Sequence, residues 1–319
     1  MTTNIPALLR AHGLHPRKGL GQNFLISQAA LENIAAAAEL SAEDIVVEVG
    51  AGLGTLSRLL AREAGRVVAV ELDSDLVTIL RDELADLPNV EIVHGDILQM
   101  SGLGFPHRGY KVVGNLPYYI TSAVLRRFLE KEPRPEIMVV TMQREVAERI
   151  VAGPGEMSLL SISVQFYGQP SIVARIKAGS FYPPPQVDSA VVRIDVGERP
   201  TVSLGEEIDD PAFFRVVRAG FGQKRKMLRN ALSAGLGVTP VRVERALGQA
   251  GVDPRRRAED QAESLQREIE IQQHTDGDEE DAGEDIAEGD GLRQHLMPVL
   301  RIGDQHTVQI TGSEEILLV

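Results

Sequence analysis

The sequence has 319 residues, a formal net charge of −13 and no cysteine, and 43% of its residues are apolar. The chain is long enough for two domains with ordinary buried cores, whereas the lack of cysteine excludes disulfides, cysteine-based zinc sites and a thiolate nucleophile. No apolar run reaches the length of a membrane span and the first residues lack the pattern of a signal peptide, so we expect a globular cytoplasmic protein that does not associate with membranes.

Strand and helix patterns alternate between about residues 45 and 195. The strand patterns are short and apolar, and an amphipathic helix pattern follows most of them. This repetition predicts an α/β fold with a mostly parallel sheet and helices on both faces. Two further strand patterns, residues 170–181 and 188–196, are predicted to pair along one edge of the sheet. The parallel strand patterns lie in DIVVEVGAG, RVVAVELD, VEIVHGDIL, YKVVGNLPYYI and EIMVVTMQ.

A glycine-rich turn joins the first of these strands to a helix, in VVEVGAGLGTLSRLL. Gly50, Gly52 and Gly54 would let the backbone approach a ligand at positions where a Cβ atom would collide with it. The spacing GxGxG differs from the GxGxxG of dinucleotide sites, so a nucleotide-like ligand without a pyrophosphate fits better. A turn that binds nothing is the structural alternative.

Two acidic residues follow the next two strands. Glu71 ends RVVAVELD, where a carboxylate can accept hydrogen bonds from both hydroxyls of a ribose, and Asp96 follows one strand later. Ligands of open α/β sheets bind outside the carboxyl ends of the strands, so the glycine turn and both acids are predicted to meet in one crevice. We therefore predict S-adenosylmethionine as the cofactor and no metal site. Either acid alone could instead be a solvated helix cap.

The stretch GNLPYYIT places an amide, a proline and two aromatic rings at the end of a strand. Asn115 and the carbonyl of Leu116 can accept hydrogen bonds from the two hydrogens of an adenine amino group, while Pro117 fixes the turn. Such bonds favour the pyramidal nitrogen whose lone pair can attack a methyl group. Tyr118 can stack on the base, which contributes about 1–3 kcal/mol. A well-packed turn is the alternative, but beside a cofactor site the pattern indicates methyl transfer to adenine.

The C-terminal part differs from this alternating region in structure and charge. Only helical periodicity is visible from about residue 209 to residue 271. Within it, Phe213–Asn230 carries six Arg or Lys and no acid, as expected where a phosphate backbone docks. From Glu268 onwards there are 14 acidic and 2 basic residues, which concentrates the negative charge in the tail. The predicted divisions are a cofactor-binding domain at 1–200, a helical RNA-binding domain at 201–271, an acidic disordered linker at 272–291 and a tail of unassigned structure at 292–319.

Eight motifs occur in order between about residues 8 and 267. They are RKGLGQNFL, VEVGAGLGTLS, VELD, GD, GNLPYYI, FYPPPQVDSAVVR, FGQKRKMLRNAL and GVDPRRRAE. In order and spacing they resemble the KsgA family of small-subunit ribosomal RNA adenine dimethyltransferases. The resemblance implies a class I, Rossmann-like methyltransferase domain and a small all-helical C-terminal domain. It also implies dimethylation of N6 of two adjacent adenosines in a hairpin loop near the 3′ end of 16S rRNA, during small-subunit assembly and by a monomer.

The same resemblance assigns roles to individual residues. Cofactor contacts are expected at Asn23, Leu25, Gly50, Gly52, Glu71, Asp96 and Asn115. The target adenine is expected at Asn115, Leu116, Pro117 and Tyr118, with Phe181 on its other face. RNA contacts are expected at Lys224, Arg225, Lys226 and Arg229. For Phe181 a core aromatic is the structural alternative, and for the cations a solvated face; Lys18 and Gln22 are candidates for closing the N-terminal segment over the site.

Three other activities are alternatives to this one. Antibiotic-resistance methyltransferases that modify N6 of adenine in large-subunit rRNA would share the fold, but PPPQVDSAVV and FGQKRKMLRNAL resemble the small-subunit enzymes more closely. A ribosome-assembly RNA-binding factor with secondary methylation is an alternative of another class, and the intact set of cofactor residues argues against it. A dehydrogenase would need a pyrophosphate-type glycine turn. The resemblance ends near Gln272, so the acidic tail could be a solubility device or a competitor for the basic RNA face.

Overall fold

The computed structural model describes residues 4–100, 109–153, 155–198, 200, 210–223 and 225–258, and the backbone of 299–301, 307–311 and 315–318. The predicted linker at 272–291 and most of the tail lie outside the described residues. By contacts the chain divides into two compact units, Met1–Val151 with Ser163–Pro200, and Ala152–Ile162 with Thr201–Val319. No helix within the described ranges is long and apolar enough to cross a membrane.

A seven-stranded sheet forms the centre of the first unit. The strands of this unit are β1 (Phe24–Leu25), β2 (Ile45–Val49), β3 (Arg66–Glu71), β4 (Val90–His94), β5 (Tyr110–Asn115), β6 (Ile137–Gln143), β7 (Gly168–Ile176), β8 (Phe181–Tyr182) and β9 (Ser189–Val196). The sheet order is β4-β3-β2-β5-β6-β9-β7. Strands β2 to β6 pair in parallel, and β9 pairs antiparallel with both β6 and β7. The predicted parallel sheet and its antiparallel edge pair are therefore confirmed.

Helices follow most of the parallel strands, as the alternating pattern predicted. The helices of this unit are α1 (Ile5–Ala11), α2 (Gln28–Ala37), α3 (Thr55–Leu60), α4 (Ser74–Glu83), α5 (Thr121–Leu129) and α6 (Arg144–Ile150). Helix α7 (Leu159–Gln165) has residues in both units. The sequence patterns did not identify α1 and α2. Asn4 precedes helix α1 and caps it, because its Oδ1 accepts a hydrogen bond from the Ala7 amide at 3.0 Å. Its buried Ile5 and Leu9 pack in one apolar cluster with Phe24.

The second unit contains three described helices, α8 (Asp210–Phe221), α9 (Leu228–Leu236) and α10 (Pro240–Gln249). Helix α9 ends at Gly237, which has a φ of +70° and so supplies the left-handed residue that often terminates a helix. Helix α10 begins with Pro240, which is favoured in the first turn because its missing amide hydrogen is not needed there. Leu228, Leu232 and Leu247 belong to the apolar cluster of this unit. Nearer the C-terminus, β10 (Val299–Arg301), β11 (Thr307–Thr311) and β12 (Glu315–Leu318) form a three-stranded antiparallel sheet.

Candidate active site

A cavity of about 270 Å³ lies at the carboxyl ends of the parallel strands. The strand order reverses between β2 and β5, and such a switch point is where open α/β sheets bind ligands. The predicted site residues that line the cavity are Asn23, Gly50, Gly52, Glu71, Asp96, Asn115, Leu116, Pro117, Tyr118 and Phe181. Leu25, the other residue predicted at the cofactor or target site, does not line the cavity. It is 3% exposed, and its side chain packs in the apolar core. The fold thus brings the proposed cofactor and target residues into one crevice.

The glycine turn between β2 and α3 adopts a backbone that other residues rarely take. Gly50, Gly52 and Gly54 have φ values of +74°, +59° and +75°. The amides of Gly50 and Ala51 both donate to the Val70 carbonyl, at 2.9 and 3.1 Å, which ties the turn to β3. A Cβ atom on Gly54 would lie 2.9 Å from Leu80 Cδ1, so a larger residue there would have to displace this side chain in addition to adopting a strained φ. The turn is therefore a fixed wall without side chains at Gly50 and Gly52, which fits a ligand that lies against the backbone.

The Glu71 carboxylate is held in place by backbone amides. Its Oε2 accepts a hydrogen bond from Gly52 at 2.8 Å, and its Oε1 accepts from Leu72 at 2.8 Å and Asp73 at 2.9 Å. Burial raises the pKa of this carboxyl, while the three backbone hydrogen bonds act to lower it. A carboxylate has about four lone-pair sites, so three amides leave acceptor capacity for a ligand hydroxyl. Glu71 therefore fits a ribose and also joins the glycine turn to the end of β3.

Asp96 occupies the loop after β4 and has a structural role there. Its Oδ1 accepts a hydrogen bond from the Leu98 amide at 2.9 Å, and its Oδ2 accepts from Gln99 Nε2 at 2.8 Å. The side chain is half-buried and lines the cavity. Asp96 thus closes the loop and presents a carboxylate to the crevice, and no helix follows it for which it could be a cap among the described residues.

Asn115 ends β5 with its amide oriented by one hydrogen bond. Its Nδ2 donates to the Asn23 carbonyl at 3.0 Å. Because that carbonyl can only accept, the bond fixes which end of the amide faces Asn23 and turns Oδ1 away from it. The preceding Gly114 is required for close packing of the strands, since a Cβ there would lie 2.7 Å from the Val49 carbonyl oxygen. Asn115 therefore presents a positioned acceptor at the strand end.

Tyr118 and Phe181 are two of the aromatic residues that line the cavity. The Tyr118 hydroxyl lies 2.7 Å from Ser189 Oγ, and Ser189 is fully buried at the start of β9. Burial raises the pKa of the Tyr118 hydroxyl, which remains a neutral phenol at physiological pH. Phe181 is 3% exposed and packs in the main apolar cluster while it also faces the cavity. The hydrogen bond to Ser189 therefore anchors the hydroxyl end of the Tyr118 ring. Phe181 belongs to the apolar core and also forms part of the cavity wall.

The segment before β1 forms another wall of the cavity, and sequence patterns identified only part of its contacts. Gln22, a predicted closing residue, donates from Nε2 to Asp73 Oδ2 at 2.8 Å. Arg17 Nη1 donates to Asp73 Oδ1 at 2.7 Å and was not predicted. Asp73 also caps α4, since its Oδ1 accepts from the Asp75 amide at 3.1 Å. An acid before a helix is an ordinary cap, so no pattern in the sequence indicates its second set of contacts.

Glu48 is a fully buried carboxyl in β2, close to the glycine turn. It is 1% exposed, and within the described part of the chain neither its Oε2 nor the Ser57 Oγ has a hydrogen-bond partner. The pKa of Glu48 is raised to about 8, mainly by burial; the neighbouring Ser57 acts to lower it and the Glu71 carboxylate acts to raise it. Glu48 is therefore protonated at neutral pH and carries a charge only at a cost to the folded state.

Glu48 should make stability depend on pH. Its folded pKa of about 8 lies above the usual 4.5, so its contribution is fully present below pH 4.5 and is lost as pH rises through 8. Between pH 5 and pH 9 the wild type should lose roughly 4 kcal/mol of unfolding free energy through this group, and Glu48→Gln, which is neutral throughout, should not show this loss. Denaturant titrations across this range measure the effect. Glu91→Gln, at an exposed strand position, is the control, and parallel curves for wild type and Glu48→Gln would contradict the assignment.

The four predicted RNA contacts of the second unit do not share one environment. Arg225 and Lys226 are exposed, and their side chains form no ion pair with the described residues around them. Arg229 is one-third exposed, and its Nη1 forms an ion pair with Glu244 Oε1 at 2.5 Å, which joins α9 to α10. Lys224 lies outside the described residues. Within the described part of the chain, two of the four cations therefore have no ion-pair partner, and one supports the fold.

Comparisons with known proteins agree on a single family. The model of the ribosomal RNA adenine dimethylase family matches residues 13–273. A protein of Dehalococcoides mccartyi named ribosomal RNA small subunit methyltransferase A is 50% identical over 257 residues, which cover 79% of this chain and 86% of the relative. A protein of the same name from Pelotomaculum thermopropionicum is 42% identical over 266 residues, covering 79% and 89%.

Two solved structures share the fold over most of the chain. A dimethyladenosine transferase from Plasmodium falciparum superposes with a TM-score of 0.63 and 23% identity, covering 80% of this chain and 98% of that one. The 23S rRNA methyltransferase ErmE superposes with a TM-score of 0.62 and 30% identity, covering 78% and 98%. Residues beyond 273 lie outside the family match, which agrees with the predicted end of the resemblance near Gln272.

Proposed function

Because the chain belongs to the ribosomal RNA adenine dimethylase family, we propose that it dimethylates N6 of two adjacent adenosines in a hairpin loop near the 3′ end of 16S rRNA. It is an S-adenosylmethionine-dependent rRNA adenine dimethyltransferase, and it acts as a monomer on the small ribosomal subunit or its precursor. Identities of 50% and 42% to small-subunit methyltransferases, against 30% to ErmE, support small-subunit RNA as the substrate. The observation that carries the proposal is that Glu71 and Asn115 face one cavity.

The cofactor side of the cavity is formed by β2, β3, β4 and the segment before β1. When bound, S-adenosylmethionine supplies an activated methyl group, so the protein needs only to position the acceptor. Glu71 would accept hydrogen bonds from the ribose hydroxyls, and the turn at Gly50 and Gly52 leaves room for a ligand beside the backbone. Asn23 and Asp96 would complete the contacts. The buried, amide-bonded carboxylate of Glu71 supports this assignment, because it is already held where a ligand could reach it.

The target side is formed by the loop after β5. Asn115 Oδ1 and the Leu116 carbonyl would accept the two amino hydrogens of adenine and favour a pyramidal nitrogen. The Tyr118 ring would stack on the base, and its hydrogen bond to Ser189 holds the far end of the ring. Phe181 would contact the other face. No tuned general base is needed, because the amino proton becomes acidic once the nitrogen carries the methyl group and can pass to water.

The direct test is methyl transfer to unmethylated small subunits from a strain that lacks this activity. With labelled S-adenosylmethionine, we expect label on two adjacent adenosines near the 3′ end of 16S rRNA, located by mapping of the modified bases. A parallel reaction contains unmethylated large subunits, and label on their rRNA in place of 16S rRNA would overturn the proposal in favour of the ErmE-like activity. Tight binding to small subunits without any label would favour an assembly factor that has lost methylation.

Arg225 and Lys226 should contribute to RNA binding through charge alone. We expect each alanine substitution to weaken binding of rRNA fragments regardless of sequence and to lower the slope of log affinity against log salt by about 1. Binding titrations over a salt series measure this slope. Arg62→Ala, which removes an exposed arginine from the first unit, is the control. Slopes equal to that of the wild type would remove both residues from the RNA interface.

A further inference from the structure

The segment from Arg17 to Asn23, here termed the strap, lies between the two loops that the proposed function uses. One of them consists of the end of β3 and the turn that follows it, which carry Glu71 and Asp73. The other follows β5 and carries Asn115. Strap residues Gly21, Gln22 and Asn23 line the cavity, so the position of the strap determines the shape of the site.

Asp73 holds the strap on the cofactor side. Its side chain is 3% exposed, and it binds Arg17 Nη1 at 2.7 Å and Gln22 Nε2 at 2.8 Å through different oxygens. Gln22 Oε1 in turn accepts a hydrogen bond from the Arg17 amide at 2.7 Å, which closes a ring of contacts. The Asp73 amide donates to Glu71 Oε1 at 2.9 Å. Hydrogen bonds to a buried charge are strong, and the loss of one partner leaves that charge unpaired.

On the target side the strap contacts the loop after β5. The Asn23 carbonyl accepts the hydrogen bond from Asn115 Nδ2 at 3.0 Å that orients the amide. Gly21 has a φ of +61°, and a Cβ there would lie 3.2 Å from Tyr119 Cε1 and 3.3 Å from Pro117 Cβ. The backbone of the strap therefore packs closely against this loop, and the left-handed φ of Gly21 favours glycine there.

We propose that Asp73 is a positioning residue for methyl transfer. It anchors the strap, and the strap holds Glu71 and Asn115 at fixed positions relative to each other. Asp73 is not among the residues that line the cavity, so it acts through Arg17 and Gln22 and not by contact with a ligand. The inference rests on the proposed function, because it assigns Asp73 a part in cofactor binding. The exposed Asp75, which also pairs with Arg17, lies outside the ring and offers a matched control.

The test compares Asp73→Asn with Asp75→Asn. Asparagine is also a good N-cap, so Asp73→Asn should keep α4 while it removes the buried charge and the acceptor for Gln22. We expect its Kd for S-adenosylmethionine, measured by calorimetry, to rise about tenfold, whereas Asp75→Asn should stay within about twofold because exposed pairs contribute little. The thermal midpoint of cofactor-free Asp73→Asn should remain close to that of the wild type. A lowered midpoint with an unchanged Kd would show that Asp73 only stabilises the fold.

Gln22→Ala tests the same anchor from the strap and remains informative if Asp73→Asn fails to fold. We expect Gln22→Ala to raise the Kd in the same direction, and the double variant to bind no more weakly than the weaker single variant, because both changes break one ring. Wild-type affinity in Gln22→Ala, or additive losses in the double variant, would overturn the positioning role. If the wild-type chain binds no S-adenosylmethionine at all, the proposed function fails, and this inference fails with it.

Discussion

Replacement of Asn115 by alanine is expected to lower kcat for methyl transfer by about 100- to 1,000-fold, the loss typical of removing one preorganised polar group at a reacting centre. Asn115 Oδ1 is oriented by the 3.0 Å hydrogen bond from Nδ2 to the Asn23 carbonyl, and alanine removes both the acceptor and this bond. Single-turnover assays with saturating RNA and cofactor measure the chemical step. RNA affinity should change little, because phosphate contacts position the substrate independently of the target base.

Asn4→Ala is the control for this experiment, since it removes an asparagine that caps α1 outside the cavity. We expect its turnover to stay near the wild-type value. Near-normal turnover of Asn115→Ala would remove Asn115 from its proposed role. A parallel loss of RNA affinity and turnover would instead mean that the substitution disturbs docking of the substrate and not the chemistry.

Glu71→Gln is expected to weaken the binding of S-adenosylmethionine by about 100-fold. The glutamine keeps one acceptor oxygen but turns an NH₂ group toward backbone amides that now donate to the carboxylate, at Gly52 on one side and at Leu72 and Asp73 on the other. At least one buried amide is then left without an acceptor, and the charge available to the ribose is lost. Calorimetric titration with the cofactor measures the change in Kd.

The matched control for Glu71→Gln is Glu63→Gln, because Glu63 is an exposed glutamate of the same unit. Circular dichroism of both variants separates a loss of binding from a loss of structure. Cofactor affinity within about threefold of the wild type, well short of one charged hydrogen bond, would rule out Glu71 as the ribose acceptor. If the variant binds weakly and is also unfolded, Glu71 stabilises the turn, and its assignment as a cofactor contact loses its support.

The parallel sheet and the residues that line the cavity at its edge were predictable because their signals are local. Buried parallel strands appear in the sequence as apolar runs, and their carboxyl ends meet at one edge of the sheet. The sequence therefore predicts that Glu71, Asp96 and Asn115 lie close together. The pairing of β1 with β8 was not predictable, because two-residue strands have no periodicity. Contacts between distant residues were missed for the same reason: nothing near Arg17 indicates Asp73, and nothing near Arg229 indicates that Glu244 neutralises it.

The pairing of β1 with β8 also bears on when the wall of the cavity can form during synthesis of the chain. Phe24 pairs with Tyr182 and Leu25 with Phe181, and the Ile26 amide donates to the Ser180 carbonyl at 2.8 Å. The wall that precedes β1 is thus secured by residues that the ribosome adds much later. A chain that ends before residue 180 lacks the strand that pairs with β1, so the wall before β1 cannot take the paired form seen in the complete chain.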